Sequence, residues 1–582
     1  MAERYEHDDN HEYDILCVGF GPAGLSIAIT LAEAEGVSKN GQSEKLSQEN
    51  LRVCFVEKQP TFIWHEGMLL DDSKMQISFL KDLASMRDPR SYYTFLNYLH
   101  QKDRLLAFSN LGSFYPYRAE YNDYMAWAAS HFTDVCRFGE QVIAIEPIVS
   151  EDTQEVERLK VTSKRLADGV NIVRIAKNVV VAVGGQPRIP DLITSKSDQE
   201  FEYNHRIIHS SQYAYRVSKT LSDKDAPYSI AVVGGGQSGA EIFYDLTNRY
   251  PNSRVSLILR DTALRPSDDS PFVNEIFDPS FTNTFYNMPT EKRQATLKRE
   301  KATNYSVVRI ELIERIYALL YKQKLPGQSE QHNILHSRRV LTVDPSEDSI
   351  TLKLVSTDDS ELNQENGEIE QSFDAVFFAT GYQRRLHKEI LRPMESYLTT
   401  DENSQMIIQR DYRVLTDPKC RAGIYLQGCC ENTHGLSDSL LSVLPVRGVE
   451  VVQSLIEHDT ELDRSSSSKS LEKELTSALQ INGGKHGVDR YKSETCDSLP
   501  SPPSTRPLTP STEDQMWQWI DGVDSNNANF GCLRYCGPSV DQVVSQDQNR
   551  AHPTRVPRPS SGQMLYRRHI SALGQTISFR SL

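Results

Sequence analysis

Two glycine-rich turns carry the most legible chemistry in this chain. The first, Gly19-Phe20-Gly21-Pro22-Ala23-Gly24, follows the apolar run Asp14-Ile15-Leu16-Cys17-Val18. The second, Gly234-Gly235-Gly236-Gln237-Ser238-Gly239, follows Ser229-Ile230-Ala231-Val232-Val233. Each opens a run of helical character. In such a turn the first glycine permits the tight bend, the second lets the backbone approach a diphosphate, and the third lets helix pack on strand. The free N–H groups and dipole of the helix start then favour the anion. One such turn arises often by chance. Two, each between strand and helix, predict a chain that seats two dinucleotides, and therefore an oxidoreductase passing electrons between them.

The residue ending the next strand selects the nucleotide. After the first turn, Leu51-Arg52-Val53-Cys54-Phe55-Val56 ends at Glu57, whose carboxylate can accept ribose hydroxyl hydrogen bonds and so fits FAD or NAD. The spacing, 57 − 24 = 33 residues, exceeds the usual ~20, and the polar stretch 36–50 reads as a loop insertion that explains it. After the second turn, Arg254-Val255-Ser256-Leu257-Ile258-Leu259 ends at Arg260, and 260 − 239 = 21 residues is on pattern. A guanidinium there pairs with a 2′-phosphate, so this site prefers NADPH to NADH.

Composition narrows the class. The chain has 582 residues, enough for two or three domains, and a formal charge of −15 without long basic runs, which argues against nucleic acid. No apolar run reaches the ~18–20 residues of a membrane span. Residues 1–10 are acidic and polar, unlike a signal or transit peptide, and nine scattered cysteines suit a reducing, cytoplasmic setting. No Cys-x-x-Cys occurs, so the redox dithiol of a disulfide reductase is missing.

These features predict an α/β chain with two Rossmann-like dinucleotide domains. A first flavin-binding segment is expected over 12–215. A nucleotide domain follows over 226–370, interrupted by a charged helical insertion at 262–324. The buried run Asp374-Ala375-Val376-Phe377-Phe378 is expected to return the chain to the flavin domain over 372–460. A loop is expected over Ser356 to Gln371. Residues 462–582, with a serine run and a Pro/Ser/Thr-rich stretch, read as a mostly disordered tail in which Trp517 and Trp519 stand out.

Further motifs occur in order. They are Trp64-His65-Glu66-Gly67-Met68, Met75-Gln76-Ile77-Ser78-Phe79-Leu80-Lys81-Asp82-Leu83, Ser270-Pro271-Phe272-Val273-Asn274-Glu275 and Ala302-Thr303-Asn304-Tyr305-Ser306. Then come Ala379-Thr380-Gly381-Tyr382, with His387 five residues after the tyrosine, and Thr433-His434-Gly435-Leu436-Ser437-Asp438-Ser439-Leu440-Leu441-Ser442. Over residues 12–460 this set closely resembles the L-ornithine N5-monooxygenases of siderophore biosynthesis, the microbial N-hydroxylating flavoenzymes.

The resemblance implies a small pocket for L-ornithine. Lys81 would hold its carboxylate, Asn274 and Asn304 its head and amine, with Glu275, Ile276 and Phe277 alongside and Ser442 (or else Ser437) completing the wall. FAD contacts are implied for Gly19, Gly21, Gly24, Glu57, Lys58, Gln59, Pro60, Thr61, Phe62, Ile63, Trp64, His65, Gln76, Val142, Ser439, Leu440 and Leu441, with Met75 beside the ring. NADPH contacts are implied for Gly235, Gly236, Gln237, Ser238, Arg260, Asn304, Tyr305 and Ser306. The implied reaction uses NADPH, FAD and O2 through a C4a-hydroperoxyflavin to give N5-hydroxy-L-ornithine, with no catalytic side chain of its own and no metal. Relatives are commonly homotetramers. A lysine N6-hydroxylase, another flavin monooxygenase of amines or ketones, and a catalytically silent flavin-fold scaffold remain alternatives.

Overall fold

The stretch Ile15–Val18 before the first glycine turn is apolar at every position because it lies in an inner strand, covered on both faces. In the computed structural model, which describes residues 5–34, 51–190, 205–357 and 368–458, this strand is β1 (Tyr5–Val18). It lies between β2 (Val53–Glu57) and β6 (Asn171–Val181), parallel to both. The sheet continues outward on one side to β3 (Cys136–Phe138) and on the other through the antiparallel pair β5 (Val156–Arg165) and β4 (Glu140–Val149). The strand Gly423–Leu426 also pairs with β6, bringing a segment from late in the chain into this sheet.

Helix α1 (Pro22–Ala34) starts on the proline of the first turn, a favoured first helical position, and buries residues 24–32 without a break. One neighbour is the helix 444–458. The Ser26 hydroxyl donates to the Leu444 carbonyl at 2.7 Å. A Cβ on Gly448 would lie 2.8 Å from that same hydroxyl, so glycine lets the two helices touch.

The second turn belongs to a separate parallel sheet. Its order is Asn333–Leu335, Arg254–Ile258, Ser229–Val233, Ala375–Phe378 and Ile207–His209. Alternate residues of Ser229–Val233 serve two cores. Ile230 and Val232 pack with Ile242, Phe243, Leu246 and Ile316 on the helical side. Ala231 and Val233 face Val343, Leu352, Leu354 and Phe373 of an antiparallel sheet formed by Arg338–Pro345, Ile350–Ser356 and Ile369–Phe373. The 262–324 region is helical as expected, with Pro271–Asn274, Phe281–Tyr286, Thr290–Glu300 and Ile310–Lys322.

Three expectations differ. Ala375–Phe378 does not return the chain to the first sheet; it sits inside the second, and the return comes at Gly423–Leu426. Ile207–His209, expected within a first segment reaching 215, is an edge strand of the second sheet. Ile369 to Gln371, expected in a loop, are part of a strand. The reason is common to the first two: an apolar run says that a strand forms, but not which sheet it joins, because its partners lie far away in sequence. All of the insertion at 36–50 and all of 462–582 lie outside the described residues.

Two buried histidines set an acid limit on this fold. Burial holds His332 and His434 down at about 4, against an ordinary 6.5. These two sites therefore bind more protons in the unfolded chain than in the folded one between those values, so their contribution to stability is full above about pH 6.5 and declines toward pH 4. Urea midpoints measured across this window should fall with pH, and His332→Gln should flatten the slope.

Candidate functional site

In the first turn the three glycines have three different surroundings. Gly19 has φ +99°, and a Cβ there would lie 2.5 Å from the Ala182 carbonyl oxygen. A Cβ on Gly24 would lie 2.3 Å from the Gly19 carbonyl oxygen, so α1 could not seat against the turn. At Gly21 nothing lies within 4 Å of a Cβ, leaving open space beside the start of the helix. Glu57 clamps this turn to the end of β2: its carboxylate accepts from the Phe20 N–H and the Gln59 N–H, both at 2.8 Å.

The segment after Glu57 lines one wall. Gln59 accepts from the Gly139 N–H at 2.9 Å, between β3 and β4, and Val142 is buried on β4. Phe62 is buried edge-on to Phe20 at 6.4 Å, whereas Lys58, Pro60 and Thr61 are exposed. Ile63 is half-buried, and Trp64 is fixed by the Asn122 side chain at 3.1 Å and by the Tyr121 ring. His65 has a left-handed backbone and meets Tyr382 edge-on at 5.5 Å.

The second turn repeats the plan. Gly234 has φ +134°, with its absent Cβ 2.3 Å from the Ala379 carbonyl oxygen, and that of Gly239 would be 2.1 Å from the Gly234 carbonyl oxygen. Gly236 caps the helix Gln237–Arg249, and its Cβ would come 3.6 Å from the Ser306 Cα. Gly235 abuts Leu259, which places the exposed Arg260 beside the turn. Arg260 has no ion-pair partner among the described residues. Ser238 is half-buried.

Gln237 joins the two halves. Its amide oxygen accepts from Gln76 at 3.3 Å and from the Arg309 N–H at 2.9 Å, and its amide nitrogen donates to Glu241 at 2.9 Å. Arg309 donates to the Met75 carbonyl at 3.3 Å while lying over the Tyr115 ring at 4.4 Å. Glu241 pairs with Arg118 at 3.1 Å. Burial pushes the Glu241 carboxyl up, and the Arg118 charge opposes it.

Lys81 lies on an irregular stretch ordered by its neighbour. The Asp82 carboxylate, 2% exposed, accepts from the N–H groups of Ala84, Ser85 and Phe95 at 2.9, 2.6 and 2.7 Å. Hydrogen bonds from Ser280, and then the charge of Lys81, hold the Asp278 carboxyl below its usual range. Immediately before it, Ile276 and Phe277 pack with Tyr305, Phe285, Leu297 and Leu436 in one small core, and Glu275 is exposed. Asn274 spends its amide on the Asp269 carbonyl at 2.8 Å. The Asn304 side-chain oxygen is buried without a hydrogen-bond partner, a vacant acceptor in the same region.

The run from Ser437 to Ser442 completes the enclosure. Ser437 and Ser442 are both buried, Ser439 and Leu440 are half-buried, and Leu441 packs on the first core. Asp438 anchors this run by accepting from the Cys430 N–H at 2.7 Å and pairing with the wholly buried Arg447 at 2.9 Å. Arg447 also donates to Gln427 at 3.0 Å. Residues 276–277, 305 and 436 are thus neighbours, which brings the segments 274–278, 304–306 and 436–442 together. The linking residues Arg118, Glu241, Arg309, Gln427 and Arg447 carry no local sequence signal, since their partners lie up to 234 positions away.

The open space at Gly21 yields a test. Gly21→Ala should leave the thermal midpoint of the flavin-free protein within ~1 °C, because its Cβ meets only open space. Dinucleotide retention should drop, because that space is where a diphosphate must approach. Gly24→Ala should instead lower the midpoint itself.

Comparison with known proteins agrees with this geometry. Residues 11–384 match the family model described as L-lysine 6-monooxygenase/L-ornithine 5-monooxygenase. An L-ornithine N(5)-oxygenase from Arthrobotrys oligospora is 47% identical over 459 residues, covering 77% of this chain and 90% of the relative. The ornithine hydroxylase from Pseudomonas aeruginosa superposes with a TM-score of 0.67 at 42% identity, covering 77% of this chain and 99% of that one. An ornithine N-hydroxylase from Kutzneria, solved with reduced FAD, NADP+ and L-ornithine, gives 0.67 at 31% identity, covering 77% and 100%. With two diphosphate cradles joined through Gln237, and with sequence likeness across most of its relatives' length, this chain belongs to the L-lysine 6-monooxygenase/L-ornithine 5-monooxygenase family.

Proposed function

We propose that this chain is an FAD- and NADPH-dependent monooxygenase that hydroxylates the side-chain amine of L-ornithine with O2, giving N5-hydroxy-L-ornithine for hydroxamate siderophore assembly. The observation that carries this reading is the vacant, buried Asn304 oxygen between the second glycine turn and the Ser437–Ser442 run. An amide oxygen there can accept from an amine without adding charge. The names of relatives 42–47% identical support ornithine as the substrate. The two cradles, Glu57 and Arg260 support the assignment of the first turn to FAD and the second to NADPH.

When bound, the flavin supplies electron transfer from NADPH and activation of O2. The protein's part is to bind, orient and exclude water. Lys81 receives the substrate carboxylate, Asn274 and Asn304 orient its nitrogens, and Ser442 closes the pocket beside Glu275, Ile276 and Phe277. Gln76 and Met75, tied to Gln237 and Arg309, set the flavin side against the nucleotide side. Homotetrameric assembly and a cytoplasmic setting belong to the same reading. Among the described residues no helix is long and apolar enough to cross a membrane.

A lysine hydroxylase is the nearest rival, and an L-lysine 6-monooxygenase from Pseudomonas syringae superposes with a TM-score of 0.63 at 25% identity. One methylene is worth only about 1–3 kcal/mol, so product analysis with each amino acid decides between them. Ornithine should give the larger yield of hydroxylated product; a larger yield from lysine overturns the assignment. Lys81→Ala should raise the ornithine KM by about tenfold or more, the cost of losing a charged hydrogen bond, with flavin content intact. The bound amine must be unprotonated to attack, against an ordinary pKa of about 10, and a pocket of amides lowers that value by desolvation. Hydroxylation should therefore rise with pH through the mildly alkaline range, and a flat rate while chemistry limits turnover counts against the proposal.

A further inference from the structure

We infer that Glu431 is a positioning residue that clasps the Asn304–Ser306 turn to the flavin-side Ser437–Ser442 run, keeping oxygen transfer coupled to the amine. This rests on the reading of Asn304 and Ser306 given above. The Tyr305 hydroxyl donates to Glu431 Oε2 at 2.6 Å. Lys301 Nζ approaches Glu431 Oε1 at 3.6 Å and lies over the Tyr305 ring at 4.9 Å. The phenol also reaches the Ser439 hydroxyl. Burial, and then Glu431, push the Tyr305 phenol above its ordinary range, so it stays a donor.

The two sides of the clasp are held in different ways. Glu431 opens the short helix Glu431–His434, which is fixed from several directions. The preceding Cys430 N–H is bound by Asp438 at 2.7 Å, and His434 stacks on Tyr412 at 4.1 Å and donates to the Arg410 carbonyl at 3.1 Å. The Asn304–Ser306 turn is held by the Tyr305 N–H, which donates to the Lys301 carbonyl at 3.0 Å, and by the packing of the Tyr305 ring. Ser306 is held at φ +58°, a left-handed conformation that a non-glycine residue keeps only when its surroundings impose it. It is also the residue that abuts Gly236. The Glu431 carboxylate adds a polar tie to a turn whose first residue offers the vacant acceptor and whose last touches the nucleotide turn.

The consequence lies in the fate of oxygen. In coupled turnover NADPH, O2, H+ and amine give NADP+, hydroxylamine and water. If the amine is misplaced, NADPH, O2 and H+ give NADP+ and hydrogen peroxide. Loosening the turn should therefore move electrons from the first balance to the second.

The test measures hydroxylated ornithine formed, and peroxide released, per NADPH consumed by the full-length flavin-loaded enzyme. Glu431→Ala should lower product per NADPH by about threefold or more with a matching gain in peroxide, and Glu431→Gln, which keeps an acceptor for Tyr305, should recover part of it. Tyr305→Phe, which removes one hydroxyl, should reproduce the alanine variant, and the double variant should be no worse than either single one. Unchanged coupling in Glu431→Ala, or additive losses in the double variant, overturns the inference. If Glu431→Ala does not fold, Tyr305→Phe decides alone by the same ratio. If the wild type hydroxylates neither ornithine nor lysine, the functional reading has failed instead. The clasp is then judged by NADP+ affinity in equilibrium dialysis: weakening by about threefold in Tyr305→Phe supports it, and an unchanged value overturns it.

Discussion

The close approach of backbone to backbone at the two glycine turns is the constraint on which the rest depends. At Gly24 and Gly239 a Cβ would stand 2.3 and 2.1 Å from the carbonyl oxygen that opens the same turn. No other residue fits, so each helix can start directly above its strand only with glycine there. That placement puts free N–H groups at the carboxyl ends of parallel strands, where a diphosphate can be held without a cationic side chain.

Bringing the two cradles together is the work of polar groups that are costly to bury. Glu241 and Arg118 stand at the junction, and Arg447 pairs with Asp438 of the Ser437–Ser442 run, largely out of water. A buried ion pair gives little net stability, because desolvation offsets the attraction. Its value here is directional: removing either partner leaves a charge without compensation, so the alternatives to this one arrangement are unfavourable. Gln237 serves the same end with neutral groups, since one amide joins the second turn to Gln76, Arg309 and Glu241.

The fold was largely legible in the chain, and two of its three errors were of one kind. Runs such as Ile230–Val233 and Val179–Val181 of β6 were found because strand segments buried on both faces read as unbroken apolar stretches. Ala375–Phe378 was likewise seen as a buried strand, yet assigned to the wrong sheet, and Ile207–His209 was not separated from the segment before it. Among the proposed site residues, Lys81, Asn274, Asn304, Ser442 and those of the second glycine turn come from motifs. Glu431, Arg118, Arg309, Gln427 and Arg447 do not, because nothing beside them in sequence distinguishes them from ordinary surface or core residues.

What the sequence determined by itself was local: two turns that only glycine can make, Glu57 and Arg260 at the ends of the following strands, and the apolar runs that become strands. Those properties depend on residues close in the chain, where sterics and periodicity act directly. The tertiary structure decided which strands share a sheet, how Gln237 meets Gln76 161 positions away, and how Tyr305 meets Glu431 126 positions away. Such contacts depend on packing over the whole chain, and a side chain's type does not reveal its partner until the fold has brought the two within hydrogen-bonding distance.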